Sequence, residues 1–245
     1  MHLSDCIPQV LCFTEHHLKE FEINNTCINN YNLGAYYCRK TRKFGGVGIF
    51  VHDTLSCTPI DLTEYCNEQD LEACALKFKI LNNVLCILCI HRPPAGNFET
   101  FKHLLESLLN KLYTNSINLI ICGDVNINYL KASNYKIKLN SSLATYNLYS
   151  AVNFPTRVTK HSSTAIDNIF MNKKWNSKYS IESHINGLSD HDEQILVMVL
   201  RNINIQSQKT QPTTIRQINE TNIAQFKLHL SEESWPNTFM KKIWN

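Results

Sequence analysis

Apolar and polar positions alternate in short blocks for most of the chain. Val10-Leu-Cys-Phe13 is a short buried strand, and Gly45-Gly-Val-Gly-Ile-Phe-Val51 opens with glycines that let backbones approach closely before it becomes another. Over 74–80 the period is two. Cys74, Leu76, Phe78 and Ile80 share one face and Lys77 and Lys79 the other, which predicts a half-solvated antiparallel strand. Asn82-Asn83 suits a hairpin turn because Asn tolerates positive φ, and Val84–His91 then returns as a fully buried strand. From Asn97, a good N-cap, the period lengthens. Phe101, Leu104, Leu105, Leu108 and Leu112 form one stripe of a helix reaching about Tyr113.

Asn118–Gly123 reads as a further buried strand, Ala132–Leu148 as a polar stretch with helical character, and Ala165–Asn172 and Gln194–Arg201 as the last strands. Strands in mixed order with helices between them predict an α/β fold, a two-sheet sandwich rather than a parallel doubly wound sheet. The body spans 1–200. Residues 201–217 are polar and aperiodic, a linker. Residues 218–245 form a short helical tail, with Asn219 capping a helix that uses Ile223, Phe226 and Leu230.

Composition narrows the classes. At 43% hydrophobic and 18% charged residues the chain is globular, and a formal net charge of +3 rules out a polycation, so binding to nucleic acid must come from a local patch. Abundant Asn fits A+T-rich coding. No apolar run reaches the ~18 residues of a membrane span, and the N-terminus lacks the pattern of a signal peptide; membranes are not expected among its partners, and an intracellular location is. Ten cysteines are scattered without a zinc-set spacing. Cys86 and Cys89, the only Cys-x-x-Cys, read as buried free thiols.

The candidate chemistry lies immediately after buried strands, where side chains are held rigidly. Glu15 follows the first strand, where a carboxylate can bind a hard cation; alone it is better read as a solvated loop residue. Asp124 and Asn126 follow 119–122, and alternation in an extended segment puts them on one side; a simple turn is the alternative. Asp167 stands between apolar strand residues, where an acid is costly unless paired, or faces water on an edge strand. Asp190-His191 precedes the last strand, and such a dipeptide alone is a weak signal. The six in this order are more telling than any one. Oxygen-rich ligands point to Mg²⁺ or Mn²⁺ and away from zinc, and metal, paired acids and imidazole suit phosphodiester hydrolysis.

In order and wording the chain resembles the endonuclease/exonuclease/phosphatase superfamily, and within it the apurinic-type endonuclease domain of insect non-LTR retrotransposons. The resemblance covers about residues 1–200 and rests on Phe13-Thr-Glu15, Gly45-Gly-Val-Gly-Ile-Phe-Val51, His91-Arg-Pro-Pro94, Gly123-Asp-Val-Asn126, Asn153-Phe-Pro-Thr-Arg157, Ile166-Asp-Asn-Ile169 and Ser189-Asp-His191. It implies a two-sheet sandwich and a DNA-nicking domain that acts in the nucleus. Glu15 would be the main metal ligand. Asp124 would activate water and Asn126 hold the scissile phosphate. His191 would stabilise transition-state charge, oriented by Asp167, with Asp190 near the metal or the water. Arg92 and Arg157 are candidate DNA-backbone contacts or surface ion pairs, and Ser162, Ser163 and Thr164 are candidate phosphate donors.

The family carries an Asn motif on a first strand ahead of the Glu15 region. Met1–Gln9 corresponds to the approach to the second strand, so that first strand is missing from this sequence. The family commonly has Tyr where this chain has His91, an imidazole able to donate to a phosphate in a pH-dependent way. Residues 213–236 resemble the segment that precedes a reverse transcriptase in such polyproteins. Two other readings stay open: a degenerate, non-catalytic fragment, and a related phosphomonoesterase or lipid phosphodiesterase.

Overall fold

The structure, a computed structural model, describes residues 7–80, 83–114, 117–172, 179–185, 187, 189–198 and, in the tail, 223–225, 227, 228 and 231. The chain divides into two units, 1–207 and 208–245. In the second, the described residues are helical; Asn219, Phe226 and Leu230 lie outside them.

The first unit is built on a six-stranded sheet. Its strands are β4 (Thr58–Ile60), β5 (Glu72–Ile80), β6 (Asn83–His91), β7 (Ile117–Asp124), β11 (Asp167–Asn172) and β8 (Leu148–Ser150), neighbours in that order. β6 and β7 are parallel, with α2 (Phe98–Leu112) as the crossover; the other pairs are antiparallel. β1 (Val10–Thr14), β3 (Val47–His52) and β2 (Tyr31–Tyr37) form a three-stranded antiparallel sheet in the order β1-β3-β2, preceded at β2 by the short helix α1 (Glu20–Asn24). Two hairpins complete the unit: β9 (Arg157–Val158) with β10 (Ser163–Thr164), and β12 (Tyr179–His184) with β13 (Glu193–Met198). This is the two-sheet α/β sandwich expected from the mixed strand order.

Both faces of the large sheet are covered. On one, α2 and α3 (Asn134–Ala144) pack Phe101, Leu105, Leu108, Leu109, Leu139 and Leu143 against Ala73, Ala75, Cys86, Leu88, Ile90, Leu119 and Ile121. On the other, Val47, Ile49 and Val51 of β3 meet Cys74, Leu76, Phe78, Leu85, Cys89, Ile120, Ile169 and Met171. Double coverage explains why β6 and β7 read as unbroken apolar runs. It also corrects the half-solvated reading of 74–80. Ala73 and Ala75, on the Lys77 face, are buried under the helices, and that face opens only further along, at exposed Lys79.

Asn97 caps α2, its side chain accepting from Thr100 N at 3.0 Å. Ser133 caps α3 in the same way. The helical stretch expected to reach Leu148 stops at Ala144, because Asn147 turns the chain at φ 56° and Leu148 enters the sheet edge as β8. Asn83 is already paired with Ile80 in the β5–β6 ladder, and Asn82, the other residue of the expected turn, lies outside the described residues.

One glycine is dictated by the sheet. Gly123 has φ 131°, and a Cβ there would lie 1.9 Å from Ile90 O. Gly123→Ala is expected to cost at least about 3 kcal/mol through backbone strain and overlap with β6, read as a shifted urea midpoint or as loss of folded protein.

Candidate active site

Register brings the acids and imidazoles together. Glu72 pairs with His91, His91 with Asp124, and Asp124 with Asp167, so four adjacent strands each contribute one ionisable residue to a single row. Residues paired across strands point to the same face, here the one that meets the small sheet. All four are buried.

At one end, Asp167 Oδ2 accepts from His191 Nδ1 at 2.9 Å and from Thr156 Oγ1 at 2.7 Å. Thr156 is fully buried, and its hydroxyl also accepts from Ile166 N and Asp167 N. The His191 loop is tied down by Asp192 N donating to Thr156 O at 2.7 Å and by a bridge between Arg157 and His191. Ligand atoms of Asp124, Asp167 and His191 all lie within 4.8 Å of one another. Burial, with the Asp167 charge adding to it, pushes the Asp124 carboxyl up to about 7. The hydrogen bond to Asp167 holds the His191 imidazole above its ordinary value against the opposing effect of burial.

Asn126 reaches Asp124 through a tight turn, not through an extended segment as alternation suggests. Its φ is 50°, and its backbone N donates to Asp124 Oδ1 at 2.7 Å. Its amide donates to Arg92 O at 2.8 Å and Asp124 Oδ2 at 3.2 Å. Both amide hydrogens are thereby engaged, one by Arg92 O and one by Asp124, in place of the phosphate contact expected of Asn126.

At the other end of the row, His91 bridges two acids. Nδ1 lies 2.9 Å from Glu72 Oε2 and Nε2 3.2 Å from Glu15 Oε1, the second without hydrogen-bond alignment. Glu72, fully buried, also pairs with Arg39 and accepts from Gly46 N at 2.7 Å. Burial alone would lower the His91 pKa; Glu15 and Glu72 outweigh it and hold it up at about 9. Glu15 follows β1 at φ 53°, a conformation uncommon outside glycine, with its side chain 47% exposed and its pKa lowered mainly by His91. His91 is therefore covered, and it braces Glu15 rather than meeting a phosphate directly.

Two other expectations change. Arg92 is buried, its guanidinium donating to Gly96 O at 2.8 Å and lying over Phe98 and Phe101, so it is a packing residue and not a DNA contact. Asp190 is exposed and held by Arg157, with Nε 2.7 Å from Oδ2. Arg157, Ser163 and Thr164 lie on the β9–β10 hairpin beside His191. Ser163, with Lys160 and His161 between the strands, is exposed, while Thr164 is half-buried.

Glu72 and Thr156 were missed as site residues. Glu72 had a signal: carried back two positions from Cys74, the period-two pattern puts it on the buried face. Thr156 lies within the Asn153–Arg157 phrase, but nothing local announces its bond to Asp167.

The pH dependence of stability follows from these shifts. His91 moves from an ordinary 6.5 to about 9, so the folded state holds that proton more tightly. The stabilisation, roughly 3 kcal/mol, is complete below about pH 6.5 and lost as pH rises through about 9. Asp124 acts at lower pH. With its folded value raised from 3.8 to about 7, ionisation opposes folding, and stability falls as pH rises across that interval. Thermal melts are expected to decline in both windows, with divalent cations flattening the acidic decline and not the alkaline one.

A two-sheet α/β sandwich with a carboxylate–imidazole row at its strand ends defines the class. The chain belongs to the Endonuclease/Exonuclease/phosphatase family, whose sequence pattern matches residues 2–191. No curated protein matches it in sequence. Among solved structures it is similar to the endonuclease domain of TRAS1, a telomere-specific non-LTR retrotransposon, at 12% identity and TM-score 0.63, covering 79% of this chain and 87% of that one. It is also similar to the 3′ phosphatase NExo from Neisseria bound to a product DNA hairpin, at 12% identity and TM-score 0.57, covering 80% and 91%. The catalytic domain of Xenopus laevis APE2 superimposes at 16% identity and TM-score 0.53, covering 80% and 86%. No helix among the described residues is long and apolar enough to cross a membrane.

Proposed function

We propose that this chain is a divalent-metal-dependent DNA endonuclease domain of a retrotransposon polyprotein. The observation that carries the reading is the Asp167–His191 pair set against a carboxyl, Asp124, whose pKa is about 7. A group titrating near neutrality suits proton transfer from an attacking water. His191, its pKa raised by the hydrogen bond to Asp167, is suited to donate to a phosphate oxygen as negative charge builds.

The donor set fits a hard divalent cation, Mg²⁺ or Mn²⁺: crowded carboxylates, one of them raised by its neighbour's charge, and half-exposed Glu15 facing the same two histidines. Glu15 would be its main ligand. When bound, such a cation supplies Lewis-acid charge at a phosphoryl oxygen. Glu15 is braced by His91, and Asn126 fixes the direction of the Asp124 carboxylate. Arg157, steadied by Asp190, stands with Lys160 and Ser163 on an exposed hairpin suited to tracking a DNA backbone. The Neisseria neighbour's DNA and the retrotransposon origin of TRAS1 support this choice of substrate. A reverse transcriptase in the same polyprotein and action in the nucleus belong to the same proposal.

The test is nicking of supercoiled plasmid by the purified chain. Open-circle product with Mg²⁺ or Mn²⁺, abolished by EDTA, is expected. Intact plasmid with either metal would overturn the reading, and preferential release of phosphate from 3′-phosphorylated oligonucleotides or small esters would redirect it to a phosphomonoesterase.

A further inference from the structure

Directly beneath the ionisable row lies a row of thiols. Cys74 pairs with Cys89, and Cys89 with Cys122, across β5, β6 and β7, two positions in from Glu72, His91 and Asp124. Cys12 of β1, paired with Ile49, meets them from the opposing sheet. The Sγ atoms of Cys12, Cys89 and Cys122 all lie within 4.8 Å of one another. A tetrahedral zinc–thiolate centre has Zn–S distances of about 2.3 Å, and thiols this close need only small side-chain movements to reach it. Outside the cluster these thiols have weak partners: Cys89 Sγ lies 3.6 Å from Phe13 O and Cys122 Sγ 3.8 Å from Leu88 O. No sequence spacing announces the set, because its members come from four strands.

We propose that Cys12, Cys89 and Cys122, with Cys74 alongside, bind a thiophilic cation of the zinc type that staples the two sheets under the active site. All-sulfur donors select soft cations and discriminate against Mg²⁺ and Mn²⁺, so this site is chemically separate from the oxygen-rich one above it. Its four strands are those that carry Glu15, Glu72, His91 and Asp124. Cys12, itself exposed on the partly buried β1, provides an entry path. A cation held here fixes β1 against β6, and with it the Glu15–His91 contact.

The experiment uses the full chain, reduced and metal-stripped, titrated with Co²⁺ in saturating Mg²⁺. One equivalent of Co²⁺ giving sulfur-to-cobalt charge-transfer absorption, displaced by Zn²⁺ and accompanied by a rise in Tm, is expected. The absorption should be lost in the double variant Cys12→Ser/Cys122→Ser and kept in Cys27→Ser. Absence of the sulfur band in the wild type, or an undiminished band in the double variant, overturns the proposal. Should the double variant fail to melt cooperatively, alkylation of the wild type decides. Zn²⁺ should shield Cys12 from iodoacetamide while exposed Cys27 stays reactive, and equal labelling of Cys12 with and without Zn²⁺ overturns the proposal.

Discussion

Asp167→Asn is expected to reduce DNA cleavage by about 10²–10⁴-fold without unfolding the protein. Asparagine keeps the shape and still offers an oxygen to Thr156 and His191, so the local hydrogen bonds survive. What is lost is the charge. The imidazolium of His191 loses its main support, and Asp124 loses the neighbour that helps raise its carboxyl. Both groups then titrate at lower pH. In the proposed mechanism the ascending limb of the pH–rate profile belongs to Asp124 and the descending limb to His191, so both limbs should move toward acid together. A profile reduced in height but unmoved would show that the pair has no electrostatic role. Plasmid nicking across pH, with circular dichroism to verify the fold, makes the measurement.

Glu72→Ala is expected to destabilise the fold by about 3–5 kcal/mol, the usual consequence of removing one partner from a buried charge network. Glu72 is fully buried and answers Arg39, His91 and the Gly46 N–H at once. Alanine leaves the Arg39 guanidinium without its counter-charge, the His91 imidazolium with Glu15 alone, and the Gly46 amide unsatisfied. Urea denaturation should show a lower midpoint. His91 should also fall from about 9, so the alkaline decline in stability moves to lower pH. Glu72→Gln retains an acceptor for Gly46 N and should be milder at neutral pH, yet show the same shift of the alkaline window. If Glu72→Ala melts like the wild type, the network is not integral to the fold.

Residues that act through local chemistry were legible. Asp124, Asp167 and His191 each follow or flank an apolar run, and the run places them at a strand end. The α2 stripe and its Asn97 cap were equally plain, because helix periodicity and capping are contained within a few turns of chain. Side chains whose role depends on a distant partner were not. Arg92 follows a buried strand like the site residues but turns inward onto Phe98 and Phe101. His91 looks like a phosphate donor until Glu15, arriving from the other sheet, covers it. Asn126 looks free to hold a phosphate until its turn aims both amide hydrogens at Asp124 and Arg92.

By itself, then, the sequence determined the kinds of element, the sandwich class and the list of chemically able groups, since apolar periodicity and strand-end polarity are properties of short segments. The tertiary structure decided which of those groups meet. Register between strands far apart in the chain sets Glu72, His91, Asp124 and Asp167 in one row and Cys74, Cys89 and Cys122 in the next. Because side chains alternate faces along a strand, a slip of one residue in any of those pairings would turn that strand's member of each row to the opposite face. That choice belongs to long-range packing, the helices on one side of the large sheet and the small sheet on the other, which no local stretch of the chain contains.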